Sequence, residues 1–338
     1  MPSLIVDKSP TYRCLGDFSH LGTLLFCSVV LGANADPATA QAITPSLDGT
    51  GTTVTQTGTQ FDIEGGSLSA NGDNLFHSFQ DFQLGSGERA TFLTTPFTQS
   101  VFARVRGGSP SLLDGELQLL GSDANLFFMN PAGIVFGPNA TLNLPANFSA
   151  TTADALGLGN HWFNATGAND YAALNDSVSA FAFTQSLPGS IVNGGKLALG
   201  EHHQLALVGG RVINTGTLST PGGTVTIAAI PGENIARIST EGQLLTLDIV
   251  EENAKTTFQD FSALAVNSPR VRPLTIPELL TFSGGPEVMQ LIENPDGTIR
   301  LSDSDIGIPV QSGTAIVSGL VDVSQPTAPG EVAVDSGS

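Results

Sequence analysis

The chain alternates apolar and polar positions in short runs. "TTVTQTGTQFDIEGG" (52–66) alternates and ends in a Gly pair. "ELQLLG", "NLFFMN", "GIVFGP" and "ATLNLP" follow, each closed by Gly, Asn or Pro. Such patterns predict short β-strands separated by tight turns. "NLFHSFQDFQL" (74–84) spaces Phe76, Phe79 and Phe82 three apart, but Asp73 and Gly85 bracket it closely. It is read as extended chain packing its aromatics inward.

A repeat organises the later strands. "IVNGGKLAL" (191–199) superposes on "VINTGTLST" (212–220) at an offset of 21. Ile191 meets Val212, Asn193 meets Asn214, Gly195 meets Gly216 and Leu197 meets Leu218. "QLALVGG" and "TVTIAAI" match next, with one deletion, and "IVSGLVDVS" (316–324) with "GEVAV" (330–334) restores the template. A period near 20 residues with Gly and Asn corners predicts a β-solenoid. Each coil holds three short strands, each paired in parallel with its counterpart about 4.8 Å along the axis. Corner asparagines can stack in hydrogen-bonded ladders, and Asn130, Asn139, Asn143 and Asn147 fall where corners or corner-flanking positions are expected. The predicted fold is all-β: a right-handed parallel β-helix with a short N-terminal capping region.

Residues 231–311 break this pattern, with an irregular excursion around 250–310 that carries much Pro and charge. "IPELLTF" predicts a short helix opened by Pro277. Strand pairing resumes around 313.

Composition agrees with this reading. Charged residues are 13% of the chain and Gly numbers 39, which suits tight β turns better than solvated helices. The net charge of −19 argues against nucleic acid and anionic membrane as partners. At the N-terminus, Lys8 and Arg13 precede the apolar run "LGTLLFCSVVLGA" (21–33), which is too short for a stable membrane anchor. "ADPATAQA" follows, with small residues at Ala38, Ala40 and Ala42. This predicts a secretory signal over residues 1–42, cleaved after Ala40 or Ala42. Cys14 and Cys27 precede that point, so the mature chain carries no disulfide and no membrane-spanning segment. Its own core must hold it together.

Catalytic and cofactor signatures are absent, and no cofactor or metal is expected. "GSGERA" (85–90) fits a dinucleotide fingerprint, but no useful helix follows. His202 and His203 are adjacent and on a strand face opposite ways, so a solvated turn is the simpler reading. Asp303 and Asp305 are read as a solvated loop. The Asn-x-Ser/Thr triplets at Asn139, Asn147, Asn164 and Asn175 are read as corners and turns. A polysaccharide-active β-helix would repeat carboxylate pairs on successive coils. In 191–230 the only acid is Glu201, so the chain is read as a non-enzyme. A polysaccharide-active enzyme and a purely structural surface protein stand as the alternatives.

"NLFHSFQDF" (74–82), "LLDGELQLLG" (112–121) and "NLFFMNPAGIVFGPNATLNLPANFSATT" (125–152), in that order, carry a family likeness. They resemble the N-terminal secretion domain of filamentous haemagglutinin-like exoproteins, the cargo of two-partner secretion, and most of all its cyanobacterial branch. Asn130, Pro131, Gly133 and Ile134 match the family's Asn-Pro-x-Gly-Ile motif. The family's Asn-Pro-Asn-Leu motif does not occur in "LTTPFTQSVFARVRGGSPSLLDG" (93–115). The resemblance places a secretion domain over 43–190 and continuing β-helix over 191–338. It implies export through the periplasm by an outer-membrane β-barrel transporter and folding outside the cell. It also implies a role in adhesion or aggregation, with a cell-surface carbohydrate or protein as receptor. Asn130-Pro131 itself reads first as a turn element, since Pro removes a ladder donor and Gly133 completes the turn.

Overall fold

The computed structural model describes residues 43–239, 246–250, 291–293, 299–301, 307–308, 313–324 and 331–336. Apart from one 3-10 turn at Tyr171–Ala173, every regular element among them is a β-strand.

The strands wind into coils. One coil runs through Ser100–Val105, Ser111–Leu113 and Glu116–Leu120, and the next through Asn125–Met129, Ile134–Phe136 and Thr141–Asn143. Leu126 lies opposite Val101, Val135 opposite Leu112 and Leu142 opposite Leu117, all in parallel. Three sheets result, met by each coil in the order A, C, B. The sequence repeat is the hydrogen-bonding register itself. Ile191 pairs with Val212, Asn193 with Asn214 and Leu197 with Leu218. Gln204–Gly209 runs beside Thr224–Ala229. After the interruption, Thr314–Val317, Leu320–Asp322 and Glu331–Ser336 add one more coil in register.

The N-terminal end is capped by antiparallel pairing. Thr52–Thr57 and Gln60–Gly65 form a hairpin whose second strand lies parallel to Arg89–Leu93. Ile43–Pro45 runs antiparallel to Asn74–Phe82 and closes sheet A.

Inside the helix, in-register columns of apolar side chains stack. Leu75, Val101, Leu126, Phe148, Leu205 and Val225 form one such column in sheet A, each 6% exposed or less. At the C-to-B corner Asn193 donates from Nδ2 to Asn214 Oδ1 at 2.7 Å, and its own Oδ1 accepts from the Gly195 amide at 3.0 Å. Both asparagines are fully buried. The ladder satisfies amides that would otherwise be stranded in the core. The predicted corner residues also pair between coils. Asn139 donates to Asp114, Asn143 lies 3.4 Å from Glu116, and Asn147 Oδ1 accepts from the Gln204 amide at 2.7 Å.

The phenylalanine run departs from expectation. Phe79 and Phe82 do point inward, because an extra residue between Phe79 and Asp81 breaks the alternation. Phe76 points outward instead. It stacks on Phe102 at 4.9 Å, and Phe102 on Phe127 at 4.9 Å, one ring per coil on the outer face of sheet A.

A second core explains that outward column. The chain leaves the coil after Thr151 and rejoins it at Ser190, then leaves again after Ala229 and rejoins at Thr314. Both departures lie between an A strand and the following C strand. Only the second was expected. The excursions build one antiparallel sheet D from His161–Asn164, Ala155–Leu158, Val178–Phe183, Asn234–Ser239 and Thr246–Val250. They are joined where Phe181 pairs with Ala236. Leu156, Leu158, Phe163, Phe181 and Phe183 pack with Phe76, Phe102, Met129 and Val208 from the outer face of sheet A. Sheet A is therefore buried on both faces, which accounts for nearly continuous apolar runs such as "NLFFM".

Other expectations resolve simply. Residues 85–88 form a turn with Gly87 at φ 76°, and strand Arg89–Leu93 follows rather than a helix. His202 sits in an exposed turn at φ 62°. The helix expected at Pro277, the pair Asp303 and Asp305, and the signal residues Ala38, Ala40 and Ala42 lie outside the described residues.

Candidate functional site

The motif Asn130–Ile134 forms the corner between sheets A and C in the second of the coils above. Pro131 lies two residues past the end of strand Asn125–Met129 and has no N–H to offer a neighbour. The Gly133 amide donates back to the Asn130 carbonyl at 3.1 Å, closing a β-turn. The Asn130 side chain does two things at once. Its Oδ1 accepts from the Ala132 amide at 3.0 Å, inside its own turn. Its Nδ2 donates to the Ser109 carbonyl at 3.0 Å and to Ser111 Oγ at 2.9 Å, in the preceding coil.

The following coil is held as tightly. Gly133 has φ 130°, a conformation open to glycine, and its carbonyl accepts from the Ser111 amide of the preceding coil at 3.0 Å, while the Asn130 amide donates to the Thr151 carbonyl of the following coil at 3.0 Å. Gly189 stands against the turn so closely that a Cβ there would lie 2.4 Å from the Pro131 carbonyl oxygen. Ile134 then restarts the strand, fully buried, between Ser111 and Ile191. The motif therefore registers three successive turns of the helix. Asn130 is 1% exposed, so its amide has no free face in the folded chain. Pro131 and Ala132 are the half-buried members at the surface.

Two buried polar features were not foreseen. Arg104 interrupts the apolar strand Ser100–Val105 and points outward, in the column of Ser78 and Met129. It is 1% exposed and pairs with Asp48 at 2.9 Å, which also takes Arg106 at 2.9 Å. Burial opposes the charge on Asp48. Hydrogen bonds from Ser78, from the Thr50 side chain and backbone, and from Arg106 outweigh it and hold the carboxyl well below its usual range. His77 lies inside the helix at the N-terminal end, fully buried. The signal in the sequence was a polar residue set among apolar ones, Arg104 within "VFARV" and His77, beside Ser78, between Phe76 and Phe79.

Among the described residues no three His, Cys, Asp or Glu side chains group to hold a metal, and no helix is long and apolar enough to cross a membrane.

Comparison with known proteins gives the family. The TPS secretion domain model matches residues 40–268, more than half of the chain. Among solved structures, the HMW1 secretion domain from Haemophilus influenzae is 24% identical with a TM-score of 0.43. That match covers 61% of this chain and 47% of the HMW1 chain, so the chain spans about half of that relative's length. A filamentous hemagglutinin secretion domain is 17% identical with a TM-score of 0.45, over 63% of this chain and 70% of that one. No curated protein matches. The extent of the family match carries the assignment: the chain belongs to the TPS secretion domain family.

Proposed function

We propose that the chain is the exported half of a two-partner secretion system, recognised before it folds by an outer-membrane β-barrel transporter. Residues 1–42 act as the secretory signal, cleaved in the region of Ala38, Ala40 and Ala42. Residues 43–190 form the segment that the transporter selects, and 191–338 continue the helix outside the cell. The exported protein serves adhesion or aggregation, through a carbohydrate or protein on the opposing cell surface.

The observation that supports this reading is the TPS secretion domain match over residues 40–268, and the burial of Asn130 bears on how the motif acts. A side chain closed on all sides by Ser109, Ser111 and Ala132 offers nothing to a partner once folded. If Asn130 and Pro131 are read by the transporter, they are read in the extended chain. If they are not, they act by shaping the turn.

Secretion in a bacterium with and without a matched transporter tests the proposal, with medium and periplasm blotted separately. Transporter-dependent appearance in the medium supports it, and equal export without the transporter overturns it. The Asn130→Ala, Pro131→Ala variant then separates the two roles of the motif. A variant that exports poorly yet refolds normally once purified points to recognition, whereas normal export with lowered stability points to the turn. Cell-aggregation assays with the purified secreted chain test the adhesive role.

A further inference from the structure

His77 occupies a place that every later coil gives to an apolar side chain. Its column in sheet A continues through Ala103, Phe128, Ala150, Leu207 and Ile227. The ring is fully buried and lies 5.7 Å from Phe92 and 6.3 Å from Phe79 between centroids. Gly66, the residue that leaves the capping hairpin, backs onto it. A Cβ there would come within 3.1 Å of Cε1 and Nδ1. Neither ring nitrogen has a hydrogen-bond partner among the described residues.

No carboxylate faces this ring. On the capping hairpin, Glu64 is exposed and Asp62 alternates with the inward Phe61 and Ile63. On the neighbouring strands, Arg89 is exposed and pairs with Glu116 at 2.7 Å. Arg104, Arg106 and Asp48 form their own network on the opposite face of sheet A. Asp81, on the strand of His77 itself, is half-buried four positions along. An imidazolium here would be a buried charge without a counter-ion.

We propose that His77 makes the N-terminal cap a proton-operated latch: protonation of the ring in mildly acidic surroundings expels it and lifts the hairpin off the first coil. Burial lowers the ring's affinity for its proton, taking its pKa from 6.5 to about 4. The folded cap thus binds fewer protons than the open one between those values. Its stability is complete above about 6.5 and declines as the pH falls toward about 4. At pH 5 the equilibrium constant for opening is expected to rise about thirtyfold over its neutral value. What opens is the end that seals Phe61, Phe79 and Phe92, so acid exposes an apolar strand edge at the start of the helix.

Hydrogen exchange on the purified secreted chain tests this, at pH 7.5 and 5.0 and corrected for intrinsic exchange. The wild type is expected to lose about thirtyfold protection in residues 52–66 and 74–79, with 204–229 unchanged. His77→Phe and His77→Leu, either of which serves if the other fails to fold, are expected to keep their protection at pH 5.0. The same loss in those variants overturns the proposal. So does a loss spread evenly along the helix, or a His77 ring that titrates near 6.5 by NMR while the hairpin stays protected.

Discussion

Arg104 and Asp48 are 56 residues apart in the sequence and 2.9 Å apart in the fold, with 1% and 9% of their side chains exposed. Arg104 spends its donors on three distant pieces of chain. Nε reaches Ser78, Nη1 reaches the carbonyls of Asn164 and Gly167, and Nη2 reaches Asp48 and Tyr171. The guanidinium also lies 5.7 Å from the Phe163 ring centroid and 5.9 Å from that of Tyr171. One side chain thereby ties the N-terminal cap and the first excursion to the outer face of sheet A.

Arg104→Met is expected to destabilise the fold by about 3 kcal/mol, because the carbonyls and hydroxyls around it lose their donor inside the protein. Tyr171→Phe removes one hydroxyl partner and is expected to lower stability by about 1 kcal/mol. Urea denaturation of the secreted chain measures both. Equal, negligible effects would mean that the network only fills space.

Asp48 makes a separate statement about acid. Its carboxyl is held below the usual range, so the folded state binds fewer protons than the unfolded state at low pH. That contribution is fully present above about 3.8, the ordinary value, and is lost as the pH falls below it. Thermal unfolding of wild type and Asp48→Asn between pH 5 and pH 2 checks the sign. The wild-type midpoint should fall more steeply than the variant's below pH 4. This window lies under that of His77, so the two titrations can be read apart.

The turn at Asn130 constrains its neighbour more than itself. Gly189→Ala is expected to cost about 2 kcal/mol, because the new methyl meets the Pro131 carbonyl and the backbone cannot yield freely. Gly167→Ala is the control. It has φ 82° but open space around it, so only backbone strain is added, about 1 kcal/mol. Chemical denaturation of the two variants side by side tests the difference. If they cost the same, crowding at the corner is not what fixes the register of the coils.

The sequence by itself determined the coils. Parallel in-register stacking puts equivalent side chains one coil apart, so the constraint is local and periodic and can be seen as the offset of 21 that joins Asn193 to Asn214. The Asn-Pro-Ala-Gly turn was legible for the same reason, since its geometry is carried by adjacent residues. Only the tertiary structure decided what lies outside the coils. Sheet D is antiparallel and aperiodic, and it joins Phe181 to Ala236 across the two coils of chain that run between them. No local pattern marks Phe76 as facing that second layer, because a strand buried on both faces loses the alternation that would show its inside. Arg104 and His77 were not foreseen, because their only local mark is a polar residue set among apolar ones. Whether such a residue is satisfied, as Arg104 is, or stranded, as His77 is, depends on partners that come together only when the chain has folded.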